Sequence, residues 1–142
     1  MTENRTSSCF CGAVEISVAG DPVTQGYCHC TSCGAWTAQP VLAYALWPTE
    51  KVTFVKGETS LGTGRRNHDM TMRFCTQCGG NVMAVSAYAG LTDVFPMRIE
   101  GFDFQPSYHV NYAERAIDMR DGLPKFSDMP EPADGSGEVM PE

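Results

Sequence analysis

The stretch Met70-Thr71-Met72-Arg73-Phe74-Cys75-Thr76-Gln77-Cys78-Gly79-Gly80-Asn81-Val82-Met83-Ala84-Val85 carries the pattern that decides the fold. Met70, Met72 and Phe74 alternate with Thr71 and Arg73, the period of a half-buried strand. A second strand-like run, Asn81 to Val85, follows Cys78. The segment therefore predicts a β-hairpin with a Cys-x-x-Cys at its tip. Such a turn lets both sulfurs face one point, and Gly79-Gly80 lets the chain leave through φ values that other residues avoid.

The same period recurs on either side of the hairpin. Val14, Ile16 and Val18 alternate with Glu15 and Ser17, and Gly20-Asp21-Pro22 stops the run. Val41 to Trp47 and Lys51 to Lys56 read as strands ended by Pro48 and Gly57, and Val94 to Ile99 and Tyr108 to Tyr112 are further strand candidates. No segment sustains a 3.6-residue apolar period, although Thr31 to Thr37 has room for a short helical turn. A chain of 142 residues with 14 Gly, 9 Pro and 42% hydrophobic residues fits one soluble, turn-rich, all-β domain rather than a long helical bundle.

Charge removes several classes of partner. The net charge is −7, and no run of Lys or Arg is longer than Arg65-Arg66. Nucleic acid and anionic membrane surfaces both need a cationic footprint, so neither is an expected partner. Five of the 17 acids lie after Phe126, where no base is found, leaving 12 acids against 10 bases before it. Residues 1–126 are therefore read as the domain body. Residues 127–142 read as an acidic tail containing Pro and Gly, either flexible or tied down by surface contacts. The polar start, Met1 to Ser8, lacks the apolar core of a secretory signal, and no stretch approaches the roughly 18 apolar residues of a membrane helix. A cytoplasmic location is expected, as a monomer or homodimer.

The seven cysteines fall into tight groups: Cys9 and Cys11; Cys28, Cys30 and Cys33; Cys75 and Cys78. An odd count and partners one residue apart suit disulfides poorly, so metal ligation is the expectation. Thiolates on a d¹⁰ ion such as zinc form a tetrahedron. In an extended segment Cys9 and Cys11 point to one face, which makes them a second half-site to match Cys75 and Cys78. Seven thiols then divide as four plus three: a closed structural site, and a middle cluster that leaves one coordination position for chemistry. The competing reading of the middle cluster is a second structural zinc completed by His29, His68 or His109. His29 lies between two ligands and would face away from them in an extended chain, which suits a local hydrogen-bonding role. Trp36, Tyr44 and Trp47 are read as packing residues, and Arg65, Arg66 and Arg73 as solvated cations that could also meet a carboxylate.

In order along the chain, Cys9-x-Cys11-Gly12-Ala13-Val14, Cys28-His29-Cys30-x-x-Cys33, Phe74-Cys75-x-x-Cys78-Gly79 and Asp121-Gly122-Leu123-Pro124-x-Phe126 resemble the glutathione-dependent formaldehyde-activating family, which includes the centromere protein V domain. The resemblance covers about Ser8 to Phe126. It implies a β-tent fold of short antiparallel sheets stapled by two zinc ions. Cys9, Cys11, Cys75 and Cys78 match the structural zinc, and Cys28, Cys30 and Cys33 the catalytic one. The sequence departs from the family where Gly34, Ala35 and Trp36 replace basic residues after the middle cluster, and where Ala116-Ile117-Asp118 lacks a tryptophan.

What the resemblance implies is a zinc-dependent carbon–sulfur lyase, similar to S-(hydroxymethyl)glutathione synthase. It would bind a thiol such as glutathione at the three-cysteine zinc and add it to, or release it from, formaldehyde or another small aldehyde. Arg73, next to Phe74-Cys75, is the candidate contact for a glutathione carboxylate. The alternative is a non-catalytic, zinc-stabilised binding module.

Overall fold

The computed structural model describes residues 3–65, 70–86 and 89–142. Arg66 and His68 lie outside the described residues. Two compact units emerge, each built from two chain segments: Met1–Thr24 with Ala45–Phe104, and Gln25–Tyr44 with Gln105–Glu142. The all-β expectation holds, and a single α-helix is found among the described residues. No helix among them is long and apolar enough to cross a membrane.

The first unit holds a three-stranded antiparallel sheet, β1 (Asn4–Ser8), β2 (Glu15–Ala19) and β5 (Val52–Lys56), in the order β1-β2-β5. The alternation in β2 does what its period predicts, since Ile16 and Val18 are fully buried. β1 has no apolar alternation to announce it. It is a polar edge strand whose ladder hydrogen bonds, rather than a hydrophobic face, hold it to β2. The other sheet runs in the order β4 (Leu42–Pro48), β9 (Leu91–Val94), β8 (Asn81–Ser86), β7 (Met70–Cys75), β6 (Leu61–Gly64), with antiparallel neighbours. β7 and β8 are the predicted hairpin. Val14, Ile16, Val18, Ala45, Trp47, Met83, Val94 and Ile99 form the core, and Cys9 and Cys75 are packed into it. Trp47 is a core residue, as its composition suggests, and donates from Nε1 to the Gly20 carbonyl at 3.1 Å.

Two strand expectations end early, for backbone reasons. The run Val94 to Ile99 stops as a strand at Val94 because Pro96, which has no N–H for a ladder, opens a 3-10 turn over Pro96–Arg98. The run Tyr108 to Tyr112 contracts to β10 (His109–Val110), since Asn111 takes a left-handed conformation (φ 54°) and leads into another 3-10 turn, Tyr112–Glu114.

In the second unit β3 (Thr24–Cys28) pairs in parallel with β10, β10 in parallel with β11 (Lys125–Phe126), and β11 antiparallel with β12 (Val139–Met140). Helix α1 (Thr31–Thr37) follows β3. Residues 127–142 belong to this unit. They turn back over a 3-10 turn at Glu131–Ala133 so that β12 can pair with β11. The largest fully buried side chains of this unit are Lys125 and His109, so hydrogen bonds must organise its interior.

One buried carboxyl in the first unit sets a pH dependence. Asp93, on β9, is 5% exposed, and its Oδ1 accepts the Ala45 N–H at 3.1 Å, just beyond the Leu46↔Asp93 end of the β4–β9 ladder. Burial pushes this carboxyl up to about 7, against the opposing pull of the Ala45 N–H. A raised folded-state value means that the stabilising contribution is complete below the unfolded value of about 4 and is lost as the pH rises through about 7. Between pH 4 and pH 8 the wild type is expected to lose about 4 kcal/mol that Asp93→Asn does not lose. Denaturant unfolding of both proteins across that range gives the difference curve, and a flat curve would refute the assignment.

Candidate metal centres

In the first unit, the sulfurs of Cys9, Cys11, Cys75 and Cys78 all lie within 4.8 Å of one another. Cys9 and Cys11 do not sit on an extended segment, as their spacing alone suggests, but on a turn. The Gly12 N–H closes on the Cys9 carbonyl at 3.2 Å, and Gly12 adopts φ +82°. The turn brings the two sulfurs to 3.7 Å, and Cys11 to 3.8 Å from Cys75. Cys75 ends β7, and the Gly79 N–H donates to its carbonyl at 2.8 Å to form the tip. Gly80 is needed by its neighbours, because a Cβ there would sit 3.0 Å from Phe10 N and 3.3 Å from the Cys78 sulfur. Backbone N–H groups of Val14, Gln77 and Gly80 donate to the sulfurs of Cys9, Cys75 and Cys78. Arg98 braces the loop by donating to the carbonyls of Ser8 (3.0 Å) and Cys9 (2.9 Å).

In the second unit, Cys28 closes β3, Cys30 caps α1 and Cys33 lies in its first turn. Their sulfurs again lie within 4.8 Å of one another. The Cys33 N–H donates to Cys30 Sγ at 3.2 Å, and Cys33 Sγ is 3.7 Å from Cys28 Sγ. Asn111 Nδ2 reaches Cys28 Sγ at 3.5 Å, and Glu114 accepts from both the N–H and the hydroxyl of Thr31. Among the described residues no further His, Cys, Asp or Glu joins this group. His109 cannot join while both its nitrogens are engaged: Nδ1 is 2.8 Å from His29 Nε2, and Nε2 is 2.7 Å from Asp121 Oδ2.

Both sets of sulfurs fit a tetrahedral cation. Four sulfurs about 2.3 Å from a central zinc lie about 3.8 Å from one another, the edge of that tetrahedron. The S···S separations of 3.7 and 3.8 Å match this edge and are nearly twice a disulfide bond. Electrostatics agree. Bonds from the Cys28 and Cys33 thiols and from the backbone hold the Cys30 thiol far below the usual thiol range, while Cys30 pushes Cys28 up to about 11 and Cys28 drives Cys33 higher still. Crowding pushes the three thiols apart in acidity, a repulsion that a bound cation would offset. Both clusters could hold metal ions.

The model of the glutathione-dependent formaldehyde-activating enzymes matches residues 4–111, which include all seven cysteines. The chain belongs to that family. A crystal structure of a Rhodobacter sphaeroides protein, 21% identical, superposes with a TM-score of 0.57 and covers 69% of this chain and 90% of its own. That likeness extends to the fold alone. No curated protein matches the chain.

Both units contain other residues singled out in the sequence of this formaldehyde-activating family member. Arg73 lies in the first unit on β7, opposite Thr63 and Met83, and its Nε is buried without a hydrogen-bond partner. Cys28, Cys30 and Cys33 belong to the second unit. Arg65 is exposed and donates to Thr71. Tyr44 is buried and Trp36 half-buried. The contacts of Asn111 and Glu114 with the middle cluster went unread because they are long-range, about 80 residues apart. The nearest sequence signal is the Asp-Gly-Leu-Pro motif, whose Asp121 is bonded to His109.

Two of its four sulfurs, those of Cys9 and Cys75, are buried in the core, which makes the first cluster the point of failure. Cys75→Ser is expected to reduce bound metal by one equivalent per chain and to destabilise the fold by several kcal/mol. Metal analysis with thermal unfolding checks this, and a variant that keeps the wild-type melting temperature and metal content would refute it.

Proposed function

We propose that the protein is a zinc-dependent enzyme of the carbon–sulfur lyase type, which takes a thiol such as glutathione at Cys28, Cys30 and Cys33 and adds it to formaldehyde or another small aldehyde, or runs the reverse. The observation that carries this reading is the inequality of the two clusters: four convergent sulfurs in one unit and three in the other, in a chain of the formaldehyde-activating family. Four protein ligands close a tetrahedral site and suit structure, whereas three leave a position for an exogenous ligand. Cys9, Cys11, Cys75 and Cys78 are accordingly the structural set.

When bound at the three-sulfur cluster, zinc lowers the pKa of an added thiol from about 8.5, so that its thiolate is available at neutral pH. Cys28, Cys30 and Cys33 hold rather than attack. The Cys33 N–H on Cys30 and Asn111 Nδ2 on Cys28 draw density from those sulfurs, which leaves the added thiol the better nucleophile. Its sulfur forms a bond to the carbonyl carbon as the C=O pair moves to oxygen. That oxygen then takes one proton, matching the one the thiol released to solvent. The product is an S-hydroxymethyl adduct with the atoms of thiol plus aldehyde, and the reverse breaks the same carbon–sulfur bond.

Exchange NMR on glutathione and formaldehyde with zinc-loaded full-length protein provides the test. The wild type is expected to accelerate exchange between free and hydroxymethylated thiol, and Cys30→Ser to lose one of two zinc equivalents and fall to the protein-free rate. A wild type that binds two zinc ions yet leaves exchange at the protein-free rate with every small aldehyde tried would instead support a binding module.

A further inference from the structure

The second unit contains a line of buried polar groups that the proposed chemistry does not use. It begins at His29, between Cys28 and Cys30, whose N–H donates to the Val110 carbonyl at 3.0 Å. From there His29 Nε2 meets His109 Nδ1 (2.8 Å), and His109 Nε2 meets Asp121 Oδ2 (2.7 Å). Asp121 Oδ1 accepts from Lys125 Nζ (2.6 Å) and from the Leu123 N–H (3.0 Å). Lys125 also donates to Glu142 Oε2 (2.9 Å), which in turn accepts the N–H groups of Asp121 and Gly122. His109, Lys125 and His29 are 0%, 1% and 2% exposed. Tyr27 stacks on His109, and Tyr112 packs T-shaped against both imidazoles, so aromatic contacts flank the pair.

Hydrogen-bond direction along this line is decided at its far end. An ionised carboxylate only accepts, and the Lys125 ammonium against Oδ1 keeps Asp121 in that form. His109 must therefore carry its proton on Nε2. When His109 carries that proton alone, its Nδ1 presents a lone pair and His29 donates to it from Nε2. His29 Nδ1, buried and without a partner, is left as the bare nitrogen. A ring held in one tautomer and one orientation fixes the backbone that carries it, and that backbone carries Cys28 and Cys30.

We propose that Asp121 is a positioning residue for the Cys28, Cys30 and Cys33 cluster, acting through His109 on the tautomer and orientation of His29. The inference rests on the reading of that cluster as a metal site. It gives the Asp-Gly-Leu-Pro motif a physical role, in which Gly122 offers its N–H to Glu142 and Asp121 aligns the histidine pair.

The test uses the full chain and readouts other than activity. On the zinc-loaded wild type, nitrogen-15 NMR of the imidazoles is expected to find the proton on Nε2 of both His29 and His109. A proton on Nδ1 of His29 would overturn the proposal without any variant. Asp121→Ala is expected to weaken metal binding at the three-sulfur cluster by about 10- to 100-fold in chelator competition. It should also alter the sulfur-to-metal absorption of the cobalt-substituted protein at that cluster and leave the four-sulfur cluster unchanged. Asp121→Asn, which keeps the side-chain shape and can still accept from His109, is expected to fall between the two. Wild-type affinity and spectrum in both variants would overturn the positioning role alone. A wild type that binds only one equivalent, with Cys30→Ser indistinguishable from it, would overturn the metal-site reading and this inference together.

Discussion

Crowded sulfurs are the constraint on which the rest of this structure depends. Thiolates 3.7 to 3.8 Å apart repel one another, and no neighbouring Lys or Arg is bonded to them among the described residues. Such a cluster is held together only when a cation neutralises it or when protons remain on most of its members. The geometry of both clusters is compatible with the first option. Backbone N–H groups point at the sulfurs, and the turns that carry them are closed by their own hydrogen bonds.

The two clusters meet that constraint in different surroundings. In the first unit, Cys9 and Cys75 belong to an apolar core with Trp47, Val14 and Ile16, and burial of that core holds the hairpin tip and the Cys9 turn in place. In the second unit His29, His109 and Lys125 are buried alongside Tyr44, Val110 and Tyr112. Lys125 and His109 are its largest fully buried side chains, so directional bonds act together with packing to hold the backbone near Cys28 and Cys30. A hydrogen-bonded line of this kind specifies orientation more narrowly than apolar packing does, because each donor fixes the next acceptor. That suits a cluster with fewer protein ligands to define its geometry.

Legibility in the sequence followed the range of the interaction. The hairpin at Met70–Val85 and strand β2 were readable because period and turn chemistry are local properties, whereas Thr31–Thr37 showed only room for a short helical turn. β1 was not, since an edge strand of Asn4 to Ser8 needs no apolar face and leaves no pattern. The Val94–Ile99 and Tyr108–Tyr112 readings ran too long because apolar content outweighed two backbone signals, the missing N–H of Pro96 and the left-handed Asn111. For the stretch 127–142 composition left open whether it is flexible or tied down by surface contacts; Val139–Met140 pairs with β11 and Glu142 meets Lys125, partners supplied from an earlier part of the chain.

The sequence by itself determined the all-β class, the family and the division of seven cysteines into four and three, because spacing fixes which sulfurs a turn can bring together and motif order is carried by the chain. Only the tertiary structure decided how those sulfurs are supported. It took His109 out of contention as a ligand by engaging both its nitrogens, and it joined His29 to Asp121 across more than 90 positions of chain. Those decisions depend on the parallel pairing of β3, β10 and β11, a long-range register that no local pattern encodes.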